Sequence, residues 1–470
     1  MKKSSLFCLF IFCIRMLTAQ TITGLVQKAF NKLESDPALK HGLISLYVID
    51  AKTGKMVFGK NAEVGLAPAS CQKIFTSISA LDILGADYRY KTLVGYDGKL
   101  AAGTLQGNLH IIGSGDPTFG SWRWPETREE KILQDIFSAL QKKGIVKISG
   151  TVLIDDSRFP LQPIPGGWVW DDIGNYYGAG SWGINWRENQ YDLVLKAGHQ
   201  AGDSTQIISV VPATAASPMT NEIKTGEPNS GDNAYVYMPP YASAGFTQGT
   251  IPAGEDRFTI SGAVSYGSLY FAKALENSFR EHGIQIGKPM ETFLGSHTNS
   301  GDWAVLSDSL FTYYSPRLDS INYWFLKKSI NLYGEVFIKT LALEKTGIGS
   351  TEKGIELVQK FWKQHGIESS AVNIIDGSGL SPQNRVTTHA LVAALEYARH
   401  ASWFRSFYDA LPDINHMKMK SGSIGGARSF AGYQRSKAGG EYIFAIIVNN
   451  YDGSSSEIVR KMWRTLDSLK

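Results

Sequence analysis

Residues 70–84 restrict the possible folds more than any other segment. Ile74, Phe75, Ile78, Leu81 and Leu84 recur at helical spacing, with few charged residues among them. A helix that is apolar around most of its circumference has to be covered on most sides. A chain of 470 residues with 43% hydrophobic content has the material to cover it and little tendency to disorder. Covering elements are predicted near both ends. Residues 22–33 read as a helix, and 42–50 with 55–59 as a hairpin turning at 51–54. Late in the chain, helical spacing returns over 320–342 and 351–365, FAIIVNN (444–450) reads as a buried strand, and 457–469 as a closing helix.

The middle, from about 93 to 265, has a different texture. Short β-like runs at 109–112, 147–154, 191–195 and 206–211 are separated by Gly, Pro and Asp, and a loop dense in Trp and Tyr spans 168–186. The predicted organisation is an α/β (α+β) domain built from 20–92 and 266–470, interrupted by an inserted, mostly β region of one or two modules at 93–265.

Residues 1–19 read as a signal peptide. Lys2 and Lys3 precede an apolar run at 6–14, and Leu17-Thr18-Ala19 offers a small residue for cleavage. The run is too short to span a bilayer, and no later run is long enough. A periplasmic location is expected. Cys8 and Cys13 leave with the leader, so Cys71 has no partner for an internal disulfide. Lys plus Arg (47) nearly balances Asp plus Glu (43), which argues against a nucleic-acid partner held by a basic face. The last helix sets Ile458, Met462, Trp463, Leu466 and Leu469 against Arg460, Lys461, Arg464 and Lys470. Packing on the terminal strand is the favoured reading, and membrane contact is at most peripheral.

The nine histidines are scattered, with no HExxH and no cysteine pair, so neither metal nor cofactor is expected. No G-x-S-x-G elbow is present. Ser70-Cys71-Gln72-Lys73, however, is an S-x-x-K opening the buried helix. Residues three apart share a helix face, so the amine stands beside the hydroxyl. Burial lowers a lysine's pKa, and a neutral amine can take a serine's proton. A second S-x-x-K, Ser350 to Lys353, follows Gly347 and Gly349, and Ser350 reads as a helix N-cap. S-x-N occurs at Ser320-Ile321-Asn322 and at Ser329-Ile330-Asn331. K-[ST]-G occurs four times. Lys52-Thr53-Gly54 is the hairpin turn, Lys224-Thr225-Gly226 lies in a polar loop, and Lys345-Thr346-Gly347 ends a helix. Only Lys420-Ser421-Gly422-Ser423 follows every other element and precedes FAIIVNN.

Taken together, these motifs resemble the D-alanyl-D-alanine carboxypeptidase/endopeptidase family, the class C low-molecular-mass penicillin-binding proteins (peptidase family S13). The resemblance extends over PASCQK (68–73), GSGDPTF (113–119), DDSRF (155–159), GWVWDDIGNYYGA (167–179), KKSINLYGE (327–335), DGSGLSPQN (376–384) and KSGS…FAGY (420–433). More than 250 residues separate S-x-x-K from S-x-N, similar to the large insertion this family carries in its β-lactamase/transpeptidase-like domain. The resemblance implies Ser70 as the acylated nucleophile and Lys73 as its base. Ser329, followed by LYGE, would relay a proton to the leaving amine, and Asn331 would bind the substrate amide. Lys420 would hold the substrate carboxylate, with Ser421, Gly422 and Ser423 on the substrate-binding strand. The N–H groups of Ser70 and Ser423 would form the oxyanion hole.

Asp172 and Tyr177 match positions that contact a diaminopimelate side chain in relatives. Pro382 stands where an Arg is found and Gly425 where a Gln is found, which weakens the case for diaminopimelate selectivity. Cys71 replaces a frequent Asn and reads as a small buried side chain rather than a reactive thiol. The run 376–379 reads either as a catalytic loop or as a turn. The expected partners are peptidoglycan peptides, with β-lactams as acylating inhibitors. The alternatives are a β-lactamase or esterase with the same serine machinery, and a non-enzymatic cell-wall-binding protein.

Overall fold

The computed structural model describes residues 22–295 and 306–470; the leader predicted at 1–19 lies outside them. Leu43–Asp50 and Met56–Lys60 form the expected hairpin. Leu43–Asp50 also pairs along its length with Glu441–Asn449, which carries the apolar run. Ala427–Arg435, Met417–Ile424 and Asp413–Ile414 complete an antiparallel sheet of six strands. Segments from both ends of the chain thus meet in one sheet.

Alternation along Glu441–Asn449 divides its side chains between two cores. Phe444, Ile446 and Val448 share one with Val26 and Phe30 of helix Ile22–Glu34 and with Ile458 and Met462 of helix Ser455–Leu466. Ile443, Ala445 and Ile447 share the other with Ile74, Phe75 and Ile78 of helix Lys73–Ile83. A strand covered on both faces reads as continuous apolar sequence, as this one does. In the last helix Ile458, Met462 and Leu466 are buried, as is Leu469 just beyond it, and Trp463 tilts against Phe430, so its apolar side is committed to the sheet.

Every residue from Lys73 to Leu81 is buried. Helices Leu318–Lys328, Asn331–Thr346, Thr351–Gln364 and Thr388–Ala398 surround them. Two of the polar members are paired within this shell, whereas the buried Ser79 hydroxyl has no partner among the described residues. Ser77 donates to Asn322 Oδ1 at 2.6 Å, and Thr76 donates to the Gly377 carbonyl at 2.7 Å. Ser350 caps Thr351–Gln364 by accepting from the Lys353 N–H, as its sequence context suggests.

In the middle region Lys91–Tyr96, Leu109–Ile112 and Val152–Asp155 join Glu291–Thr292 and Asp308–Tyr314 in a five-stranded sheet. Gln190–Lys196 lies between Gln206–Val211 and Phe258–Ala263, and Gly245–Pro252 organises a further sheet. Two expectations are corrected here. Lys224-Thr225-Gly226, expected in a polar loop, is a strand parallel to part of Gly245–Pro252. The described residues of this range, 266–295 and 306–314, assigned by sequence to the first domain, pair and pack with the middle region. Asp308–Tyr314 is antiparallel to Lys91–Tyr96, and helix Gly267–Glu281 packs Tyr270, Phe271 and Leu275 into that region's core. Its sheets therefore extend over 91–314 rather than 93–265. A β-like texture reveals that a strand exists, whereas its partner is set by register with a distant segment.

The two regions are tied by buried polar contacts. Lys339 Nζ donates to the carbonyls of Gln162 and Ser181 at 3.0 and 2.8 Å, and the Tyr333 hydroxyl donates to Glu188 at 2.7 Å. The aromatic loop of the middle region is thereby held over the start of the Lys73–Ile83 helix.

Candidate active site

Ser70 sits in a single 3-10 turn, Ala69–Gln72, that runs directly into helix Lys73–Ile83. Ala69 has φ +47°, a left-handed conformation that costs a residue with a Cβ about 1–2 kcal/mol. Such strain concentrates where function fixes the backbone. One turn onward, Lys73 Nζ stands 2.9 Å from Ser70 Oγ. It also donates to Asn331 Oδ1 at 2.6 Å and to the Ser378 carbonyl at 2.7 Å. Burial is the main influence lowering the Lys73 pKa well below the usual lysine range. The positive charge of Lys420 adds to it, and Asp376 and Glu335 oppose it. With the amine neutral, the proton shared between the two side chains belongs to the Ser70 hydroxyl, and the nitrogen can accept it.

The helical spacing read over 320–342 conceals a break. Helix Leu318–Lys328 ends at Ser329, whose φ of 58° and ψ of 39° are left-handed, and a new helix begins at Asn331. Ser329-Ile330-Asn331 is thus the joint between two helices, where its side chains can leave the helical packing. Asn331 Oδ1 accepts from Lys73, and its Nδ2 donates to the Tyr177 carbonyl at 2.8 Å. Ser329 lines the cleft beside Asn331 and Tyr177 but is not among the hydrogen-bond partners of Lys73. The other S-x-N lies within helix Leu318–Lys328. There Ser320 accepts from the Trp124 indole at 2.9 Å and Asn322 binds Ser77, so both are packing contacts.

The third side is strand Met417–Ile424. Gly422 passes so close to the Ser70 turn that a Cβ would strike Ser429 Oγ and the Pro68 carbonyl, and would lie 2.9 Å from the Ser70 nitrogen. Only glycine lets this strand and that turn approach. Lys420 is buried, donates to the Ser421 carbonyl at 2.8 Å, and has its pKa pushed down to about 8 by burial. Ser421 is half-buried and Ser423 exposed. Cys71 is fully buried and donates to the Lys420 carbonyl at 3.1 Å. Burial pushes its thiol up to about 11, which is the inert arrangement.

Two carboxylates complete the site. Asp376 proves to be the centre of a turn. Its oxygens accept from the N–H groups of Gly379 (2.8 Å) and Ser381 (2.7 Å), and from Asn384 (3.0 Å), Gln72 (2.9 Å) and Trp168 (2.9 Å). This network fixes the Ser378 carbonyl against Lys73 and leaves the carboxylate committed. Glu335, which sequence reasoning does not single out, accepts from the Gly377 N–H at 3.0 Å. Burial, reinforced by Asp376, pushes it up to about 8. Its signal was its spacing: four residues after Asn331, it shares that residue's helix face.

Tyr177 lines the same cleft, and Asp172 lies beside it. The Tyr177 hydroxyl hydrogen-bonds to the Asp172 carboxyl, whose pKa burial raises. The Tyr177 ring packs with Ile164, Trp168, Leu380 and Ile424 along the rim, and Pro382 and Gly425 are exposed. Among the described residues no group of three or more His, Cys, Asp or Glu could hold a metal ion.

The D-Ala-D-Ala carboxypeptidase 3 (S13) family model matches residues 26–413. The chain is 24% identical over 462 residues to the D-alanyl-D-alanine carboxypeptidase of Actinomadura sp. (strain R39), covering 91% of this chain and 81% of that one. It is 23% identical over 417 residues to the D-alanyl-D-alanine carboxypeptidase DacB of Haemophilus influenzae, covering 84% and 83%. The crystal structure of penicillin binding protein 4 (dacB) from H. influenzae superposes with a TM-score of 0.77 at 21% identity, over 94% of this chain and 98% of that one. The same protein complexed with a β-lactam gives 0.72 over the same shares.

Proposed function

Since the chain belongs to the D-Ala-D-Ala carboxypeptidase S13 family and is a serine carboxypeptidase hydrolase, we propose a residue-level mechanism for it. Ser70 Oγ attacks the carbonyl of the penultimate D-alanine in a peptidoglycan stem peptide or cross-link and gives its proton to Lys73. The N–H groups of Ser70 and Ser423 receive the oxyanion. The proton passes through the Ser329 hydroxyl to the leaving amine as the C–N bond breaks, giving an ester on Ser70. Water then hydrolyses the ester and restores the serine. Asn331 aligns the substrate amide. Lys420, with Ser421, Gly422 and Ser423, takes the terminal carboxylate. Asp172 and Tyr177 receive part of the stem-peptide side chain. β-Lactams acylate the same serine as inhibitors, and the reaction runs in the periplasm.

The observation that carries this reading is the 2.9 Å contact between Ser70 and a fully buried Lys73 whose surroundings favour the neutral amine. Among the described residues no helix is long and apolar enough to cross a membrane. The test is release of D-alanine from a synthetic pentapeptide ending in D-Ala-D-Ala. Ser70→Ala is expected to abolish it, and Lys73→Met to lower it by roughly 10²–10⁴-fold. Undiminished release by folded Ser70→Ala protein would overturn the assignment.

A further inference from the structure

An antiparallel pair of strands with one face on a core ordinarily turns a polar face to water. Strands Asn233–Tyr237 and Gly245–Pro252 of the middle region turn an aromatic one. Val236 and Ile251 point into that region's core and Thr247 is buried beside them, while alternation sends Tyr235, Tyr237 and Phe246 outward. Tyr237 and Phe246 are cross-strand partners whose rings stack 4.7 Å apart with 12° between their planes. Trp170, from the loop dense in Trp and Tyr, extends the row with its ring 5.7 Å from that of Tyr237. Trp170, Tyr176 and Tyr235 are 45%, 53% and 40% exposed. Single exposed rings are ordinary, whereas a contiguous set marks a surface that binds something.

The row is continuous with the site of the reaction proposed above. Tyr177 lines the cleft. The Tyr176 ring stands 5.4 Å from that of Tyr177, and Tyr235 interacts electrostatically with both Tyr177 and Tyr237, so it lies near both. In a stem peptide ending in D-Ala-D-Ala, the side chain given to Asp172 and Tyr177 belongs to the third residue. Two residues then separate it from the sugar that carries the peptide, a tether on the order of 7 Å. A sugar chain therefore has to run close to Tyr177. The face of a pyranose ring is a sheet of C–H groups that packs on an aromatic ring, and its rim carries hydroxyls. Asp171 is exposed beside the row. One of its oxygens accepts from the Tyr237 hydroxyl at 3.2 Å, and the other has no hydrogen-bond partner among the described residues.

We propose that this aromatic face is a docking surface for the glycan strand that carries the stem peptide. The faces of N-acetylhexosamine rings pack on Trp170, Tyr235 and Tyr237, and Asp171 accepts from a rim hydroxyl. The proposal rests on the Ser70 reaction and adds a carbohydrate to what this chain binds.

The test compares a free pentapeptide ending in D-Ala-D-Ala with the same pentapeptide joined to a peptidoglycan tetrasaccharide. Trp170→Ala and Tyr235→Ala change exposed side chains on separate elements, and penicillin labelling reports whether each variant is folded. Wild-type protein is expected to prefer the glycan-linked substrate. In both variants kcat/KM on that substrate is expected to fall about fivefold or more, mainly through KM. On the free pentapeptide the loss is expected to stay within about twofold, as for a surface change away from the reacting groups. Equal losses on the two substrates, or no loss on the glycan-linked one, overturn the docking surface. Wild-type protein that cleaves both substrates equally well also overturns it but leaves the Ser70 reading intact. Wild-type protein that sediments as a dimer, with Trp170→Ala a monomer, gives the face to a second copy and overturns the sugar reading. If wild-type protein cleaves neither substrate, the Ser70 reading fails, and calorimetric titration with the peptide-free tetrasaccharide decides the surface. Weaker binding by both variants then supports it, and equal or absent binding overturns it as well.

Discussion

Lys420 and Lys73 are both fully buried lysines, and the charge of Lys420 helps hold the Lys73 amine in its neutral form. The pair divides the labour of the site. One lysine has to be neutral to accept a proton, and the other has to be charged to hold a carboxylate.

This division predicts the pH dependence. Lys73 has a lowered pKa, and activity rises as pH climbs through it because the protonated amine cannot act as a base. Lys420 loses its proton as pH rises through about 8, so carboxylate binding fails on the alkaline side. A bell-shaped profile of kcat/KM is expected, with its alkaline limb near that value. Lys420→Arg keeps its charge at every accessible pH and is expected to move the alkaline limb upward. A limb that stays in place in this variant contradicts the role given to Lys420.

Gly422→Ala tests the approach of the Lys420 strand to the nucleophile. The added Cβ meets Ser429 Oγ and the Pro68 carbonyl, which are hydrogen-bonded to each other. Overpacking of this kind is expected to cost about 1–3 kcal/mol and to slow acylation by moving Ser70. Thermal unfolding and the penicillin acylation rate are the measurements. A variant with wild-type values of both would show that the contact has no consequence.

Asp376→Asn asks whether this carboxylate is structural. Its two oxygens accept from five donors, and an amide would turn one acceptor into a donor facing other donors. The expected destabilisation is about 2–3 kcal/mol, read from the urea midpoint. Acylation is also expected to slow, since the Ser378 carbonyl that holds Lys73 rides on this turn. An unshifted midpoint contradicts the structural role.

Cys71 is expected to resist iodoacetamide in the folded protein and to react once it is unfolded. Its thiol is fully buried and its pKa is raised to about 11, so little thiolate is available near neutrality. Rapid alkylation of native protein, located at Cys71, contradicts this.

The parts of the site that the sequence makes legible are those whose chemistry is local. Ser70 and Lys73 lie one helical turn apart, so their contact follows from spacing. FAIIVNN announces a strand covered on both faces, and glycine at 422 belongs to a motif. The break at Ser329 is hidden because the apolar positions on either side of it keep a helical rhythm, although one left-handed residue redirects the chain. The five-donor shell of Asp376 draws on Gln72, Trp168 and a turn far along the chain, which no local pattern encodes. The reach of the middle region to residue 314 depends on strands such as Gln285–Ile286 and Glu291–Thr292, too short to alternate visibly. Ser320-Ile321-Asn322 satisfies the S-x-N pattern and lies inside a packed helix, so pattern alone does not locate a site.

The most direct test of the central claim is to label the purified protein with penicillin, digest it and map the adduct by mass. A single covalent adduct on Ser70, absent from Ser70→Ala, is the predicted result. An adduct on any other residue, or labelling that survives Ser70→Ala, would contradict the account.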